Sequence, residues 1–321
     1  MPVPISETLD DQEAAAAAKA RTAKTELPKY LVTSGLAGAY VGVAVVLLLM
    51  VSAAFVAGKS PSTKLVQGAV FGIALTLVVF AGAELFTGNV MVMLQGLMRR
   101  KVTISDLVLV WAASLLGNLG GSIGFAALVN ASGVMSSGAP KGQQTIFMAT
   151  LAGIVKSKAA LSGGQLFFRS VLCNMLVCLA LWMAARTRSD AAKLLCLWWA
   201  LLAFIASGFE HSIANMTIFG LGIFGHVSGA TWAEMSRNLL YTVPGNIVGG
   251  GVLVGMVYGW TGREASPSSL GATGTISVDG PGTIELETAE EGDRPAAVAP
   301  RNGAGGRRRA TTPPPRRTPV R

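Results

Sequence analysis

Two long apolar runs in this chain are interrupted at matched places by the same small set of polar residues. Lipid offers no partner for backbone N–H and C=O groups, so a run of this length must cross as a helix, and a break is tolerated only inside protein or beside water. The first break is Glu84-Leu85-Phe86-Thr87-Gly88-Asn89 and the second is Glu210-His211-Ser212-Ile213-Ala214-Asn215. In each, Glu is followed five residues later by Asn. A second matched pair is Gly117-Asn118 with Gly120-Gly121 and Gly245-Asn246 with Gly249-Gly250. Matched polar interruptions in two halves of a membrane chain point to inverted repeats with a substrate path at their interface. His211 is the one histidine inside an apolar segment, and an ionisable group at that depth marks a functional site.

Composition supports this reading. Hydrophobic residues make up 51% of the chain and charged residues 13%, and the charges fall between the apolar runs rather than at helical period within them. Six spans are expected, at roughly 30–57, 65–98, 105–130, 163–185, 191–224 and 236–260. The second and fifth are too long for one simple crossing and hold the breaks. The chain therefore divides into an N-terminal segment 1–27, a six-span region 28–260 and a tail 261–321. The tail is rich in Gly, Pro, Ser, Thr and Arg and is expected to be disordered, because it cannot bury enough surface to offset its chain entropy. Its arginines read as a solvated tail, with anionic lipid headgroups as the other reading. No nucleic acid partner is expected.

Orientation follows from the basic residues. One side carries Lys19, Arg21, Lys24, Lys29, Arg99, Arg100, Lys101, Arg186, Arg188 and Lys193, so both termini are expected in the cytoplasm; the expected location is the plasma membrane. The start is not a signal peptide, since acidic residues precede an alanine run; it reads as a surface helix or a loose segment. Cys173, Cys178 and Cys196 lie in spans without metal spacing and read as packing residues, so no cofactor or metal is expected. His226 falls in a connection and reads as an exposed loop residue. Glycines spaced four apart, such as Gly38 and Gly42 or Gly120 and Gly124, read as helix contacts.

The breaks carry the chemistry. Each frees backbone groups, and Gly88 is read as the residue that permits the unusual backbone. Thr87, Asn89, Ser212 and Asn215 can satisfy freed groups with short polar side chains. The helices that restart present positive N-termini toward the centre, which favours an anion. Glu84 and Glu210 are expected to accept hydrogen bonds from the freed N–H groups. An intramembrane enzyme would need a nucleophile and base or a metal pair in the spans, and a single histidine does not supply one; the chain is read as a non-enzyme. A membrane scaffold with a partner-binding tail is the alternative from another class.

The stretch LLAFIASGFEHSIANM at Leu201–Met216 and the motif ELFTG at Glu84–Gly88 resemble the formate/nitrite transporter family. The segment LFFRSVLCNMLVCLALWMAARTRSDAAKLL at Leu166–Leu195 is similar to its nitrite-channel branch. The resemblance covers about 28–260. It implies an aquaporin-like bundle of six helices with inverted 3+3 repeats, broken in spans two and five, and assembled as a homopentamer with a pore in each protomer. It implies small monovalent weak-acid anions as substrates, nitrite first, with formate or hydrosulfide as alternatives. By the same resemblance, Phe71, Leu75 and Phe204 form an apolar constriction, His211 is the central histidine and Thr87 its partner. Lys158, with Lys156 as competitor, becomes the vestibule lysine that attracts anions, and Asn174 the chamber-side asparagine. Where the nitrite branch carries His after Thr-Gly, this chain has Asn89, which weakens nitrite relative to the other anions.

Overall fold

The computed structural model describes residues 1–138 and 144–262; the expected disordered tail lies outside the described residues, apart from its first two positions. The described chain is helical throughout. Helices α1 (Ile5–Thr25), α2 (Leu27–Ala57), α3 (Thr63–Phe71), α4 (Ile73–Phe80), α5 (Phe86–Met98) and α6 (Ile104–Ser132) form the first half. The second half holds α7 (Ile146–Ala159), α8 (Gly163–Ala185), α9 (Asp190–Ala206), α10 (Ser212–Phe224) and α11 (Trp232–Ile247). A π-helical segment (Val248–Met256) and α12 (Val257–Thr261) then continue α11. By length and composition, five stretches can cross a membrane: Leu27–Ala57, Thr63–Phe80, Ile104–Ser132, Gly163–Ala185 and Trp232–Thr261. Phe86–Met98 and Ser212–Phe224 are apolar but shorter.

The two halves pack alike. Helix α2 makes its largest contact with α6, and α8 makes its largest with α11. The short helices then cross over: α10 packs on α6, and α5 packs on the π-helical segment. Close approach depends on glycine at defined points. A Cβ on Gly38 would overlap the Asn118 carbonyl, and one on Gly249 would overlap the Val171 carbonyl, so only glycine lets each pair of backbones meet. Gly120 and Gly124 have open space where a Cβ would stand and are not contacts within the protomer.

The fold adds three features to the sequence reading. The N-terminal segment takes the first of its two expected forms, a helix, and charge holds it down. Arg99 pairs with Asp10 at 2.6 Å and Glu13 at 3.0 Å, and Lys24 pairs with Asp106. Arg188 pairs with Glu7 at 2.6 Å. Helix α7 forms in the connection after α6, behind a Thr145 cap whose hydroxyl accepts the Met148 N–H. The last span is π-helical over nine residues, where glycines at 249, 250, 251 and 255 remove side-chain resistance to the wider turn.

Candidate functional site

Both breaks are built to one plan. Helix α4 ends at Phe80 and α9 at Ala206, and each is followed by a glycine with positive φ, Gly82 (76°) and Gly208 (72°). The Ala83 N–H returns to the Val78 carbonyl at 2.9 Å, and the Phe209 N–H to the Phe204 carbonyl at 3.1 Å. These are matching glycine C-caps. Gly88, which the sequence reading chose as the breaking residue, sits inside α5 instead. The two glycines at the left-handed positions do that work, because residues with a Cβ resist that conformation.

The restart is also duplicated. Asn118 Oδ1 accepts the Phe86 N–H at 2.9 Å, while its Nδ2 donates to the carbonyls of Ser34 and Glu84. Asn246 Oδ1 accepts the Ser212 N–H at 3.0 Å, while its Nδ2 donates to the carbonyls of Ser170 and Glu210. The expectation that Glu84 and Glu210 receive the freed N–H groups is thus corrected. A break frees acceptors as well as donors, and an amide serves both where a carboxylate serves only donors.

Released from that task, each glutamate meets a lysine from the first helix of its own half. Lys19 on α1 donates to Glu84 at 2.6 Å, with both side chains about one-fifth exposed. Glu84 also accepts from Tyr30 Oη and Asn89 Nδ2. Lys158 on α7 donates to Glu210 at 2.8 and 2.9 Å, and Asn215 Nδ2 adds a bond of 2.7 Å. This second pair is the more deeply buried, with side-chain exposures of 11% and 5%. Lys156, two residues earlier, is exposed.

His211 is where the halves differ. It occupies the N-cap of α10, and its Nδ1 accepts the Ala214 N–H at 3.2 Å. The corresponding cap of α5 is Leu85, which has no such group. A backbone N–H can only donate, so Nδ1 carries no proton, and the proton of the neutral ring sits on Nε2. Nε2 lies 3.3 Å from Thr87 Oγ1. The Phe204 ring stacks on the imidazole with centroids 5.9 Å apart, and Phe71 meets Phe204 edge to face at 5.7 Å.

Two cavities meet at this group. The larger, about 50 Å³, is lined by Lys158, Asn215, Phe209 and His211 among apolar side chains. The smaller, about 10 Å³, is lined by Leu75, Leu85, Val177 and His211, which is room for about one water. Phe71 and Phe204 border both. The three residues expected as one constriction are therefore divided: Phe71 and Phe204 stand between the cavities, and Leu75 lines only the smaller. Leu85, Val177 and Phe209 were not singled out from sequence. Leu85 and Phe209 each adjoin a break glutamate, and that position was the available signal for them.

Asn174 lines neither cavity. It is fully buried, and its Nδ2 donates to the Thr87 carbonyl at 3.1 Å and the Asn246 carbonyl at 2.7 Å. Among the described residues no group of His, Cys, Asp and Glu is placed to hold a metal ion. His226 is exposed in the turn after α10.

Comparison with known proteins places this arrangement. Residues 6–260 match the family model described as formate/nitrite transporter. The nitrite transporter NirC of Salmonella typhimurium is 42% identical over 257 residues, covering 79% of this chain and 90% of that protein. A probable formate transporter of Methanothermobacter thermautotrophicus is 38% identical, over 74% of this chain and 90% of its own. Among solved structures, an FNT family ion channel superposes with a TM-score of 0.74 at 39% identity, over 80% of this chain and 99% of that one. A structure titled pentameric formate channel with formate bound gives 0.63 at 30% identity, over 73% and 96%. With the family model matching most of its length, this chain belongs to the formate/nitrite transporter family of multi-pass membrane transporters.

Proposed function

We propose that the protein is a channel or transporter for small monovalent anions of weak acids, with nitrite first and formate and hydrosulfide as alternatives. The observation that carries this reading is the position of His211, which touches both cavities, stacks on Phe204 and faces Thr87. The identity to the nitrite transporter NirC supports nitrite.

A bare anion is costly in the apolar passage around Phe71, Phe204, Leu75 and Leu85, where nothing replaces its water. A weak acid avoids that cost by crossing as the neutral molecule. The proton route does not require the imidazole to become charged. The Ala214 N–H holds Nδ1, Nε2–H donates to Thr87 Oγ1, and the threonine hydroxyl is then free to donate to the substrate. Such a chain of aligned donors strengthens each bond along it and stabilises the anion while it takes a proton that water in the larger cavity relays from the acidic bulk, the relaying water being left neutral. Lys158 acts at short range in this scheme. Its charge is matched by Glu210, so it polarises the wall of the larger cavity rather than drawing anions from far away.

In the architecture that goes with this reading, Thr63–Met98 and Asp190–Phe224 are the second and fifth of six passages, each broken once, in an aquaporin-like inverted repeat. The bonds of Asn118 and Asn246 support the repeat, since each ties the restart of one broken helix to the same kind of neighbours. Protomers assemble as a homopentamer with one pore each, in the plasma membrane, with both termini in the cytoplasm. Residues 28–260 form the transport unit and 261–321 an appended tail.

Uptake into proteoliposomes of nitrite, formate, hydrosulfide and chloride, with and without an imposed pH gradient, tests the reading. Weak-acid anions are expected to enter faster when the outside is acidic, and chloride to be excluded. Equal uptake of chloride would refute it.

A further inference from the structure

Cys178 reads from sequence as a packing residue, yet its surroundings are polar at two points. It is fully buried on α8, and its Sγ donates to the Thr87 carbonyl at 3.3 Å. Asn174 Oδ1 is a second acceptor, 3.8 Å from the same sulfur. Asn174, one turn earlier on α8, donates to that same Thr87 carbonyl at 3.1 Å. Room for both side chains comes from Gly250, where a Cβ would overlap Asn174 Nδ2 and stand 2.6 Å from Cys178 Sγ.

These bonds close a ring around the His211–Thr87 contact. From the Thr87 carbonyl the path runs to Asn174 Nδ2 and on to the Asn246 carbonyl. The Asn246 side chain holds the Ser212 N–H, next to His211, and the imidazole returns to the Thr87 hydroxyl. The side chains of Asn174 and Asn246 hold this ring from the second half of the molecule. Among the described residues, Cys178 is the one further side chain that bonds the Thr87 backbone from outside α5.

We propose that Cys178 is a positioning residue for transport: its thiol fixes the Thr87 backbone, and through it the direction of the hydroxyl that faces His211. The assignment rests on the reading that Thr87 and His211 handle the substrate. A thiol bond is weak, but it acts on a group whose direction matters, and loss of one net hydrogen bond corresponds to about a two- to ten-fold change in rate. The role requires a donor at this position and not the sulfur itself.

Two measurements test it. In proteoliposomes holding equal amounts of assembled protein, Cys178→Ala is expected to lower saturating nitrite uptake about two- to ten-fold with little change in half-saturation. Cys178→Ser, which restores a donor and an acceptor, is expected to recover most of the loss. Uptake by Cys178→Ala equal to wild type overturns the proposal, as does a loss that Ser does not relieve, which would assign only bulk to the sulfur. The second measurement needs no transport. The infrared S–H band that disappears in Cys178→Ser is expected at lower frequency than that of a free buried thiol. A band at the free-thiol position overturns the geometry even where Cys178→Ala fails to assemble. If wild-type protein takes up no weak acid while the shifted band is present, the transport reading has failed and the positioning geometry has not.

Discussion

The two breaks share one frame and differ in what fills it. Both have a glycine at positive φ, a glutamate two residues later, an asparagine bridge from a distant helix and a lysine from the first helix of the half. In the first break the restarting helix is capped by Leu85, and the charged pair is partly open to solvent. In the second the cap is His211, and the charged pair is closed off from solvent. The frame therefore explains how each break holds the first N–H of its restarting helix and the carbonyls beside it, and the departure from it falls at His211, where the proposed chemistry lies. The repeated frame supplies the scaffold, and one difference at an equivalent position, histidine against leucine, makes the centre one-sided.

Removing the bridges tests the shared frame and should have the largest effect. Asn118→Ala and Asn246→Ala each strand one buried N–H and two carbonyls, at about 1–3 kcal/mol for each unpaired group before relaxation. Both variants are expected to lose thermal stability to a similar degree, or to fail to assemble, as read by melting in detergent. A large loss in one and none in the other would break the equivalence of the two frames.

Removing the lysines separates the breaks. Lys158→Met leaves Glu210 buried without its cation, a loss of about 3–5 kcal/mol for a pair of this kind. Lys19→Met leaves a partly exposed Glu84 that still accepts from Tyr30 and Asn89, at about 1 kcal/mol or less. Melting of the two variants side by side checks the difference. Because Glu210 already balances Lys158, the loss of uptake in Lys158→Met is expected to persist across salt concentrations. A loss that vanishes at high salt would restore long-range attraction as its role.

The smallest effect is expected from the tail. Truncation after Arg263 should leave nitrite uptake nearly unchanged, since residues of that composition form no pore wall. Abolished uptake by a correctly assembled truncation would place the tail within the transport machinery.

Much of this was legible in the sequence for identifiable reasons. The spans follow from apolar length, and the helices end within a few residues of the expected limits. The breaks were visible because Glu, Asn and His are rare in apolar runs. What was not legible depends on which group meets which across the fold. Asn118 and Asn246 stood out as a matched pair, but their partners lie more than 30 positions away. Lys156 and Lys158 are two apart on a helix and face opposite sides, so sequence alone did not say which one turns inward. Gly88 stood out within its motif, whereas Gly82 and Gly208 lie just before the breaks and show their left-handed geometry only in the fold. Phe71, Leu75 and Phe204 were grouped by resemblance, and only the cavities separate them.

The central claim is that the histidine breaking the symmetry decides what crosses. His211→Asn tests it most directly, because asparagine can still cap α10 while the ring between Phe204 and Thr87 is gone. The measurement is uptake of nitrite and of chloride across pH, in wild-type and His211→Asn proteoliposomes of equal protein content. The account predicts lower nitrite uptake, a flatter pH dependence because the remaining flux no longer requires a proton, and a lower ratio of nitrite to chloride. Unchanged uptake, pH dependence and selectivity would contradict it.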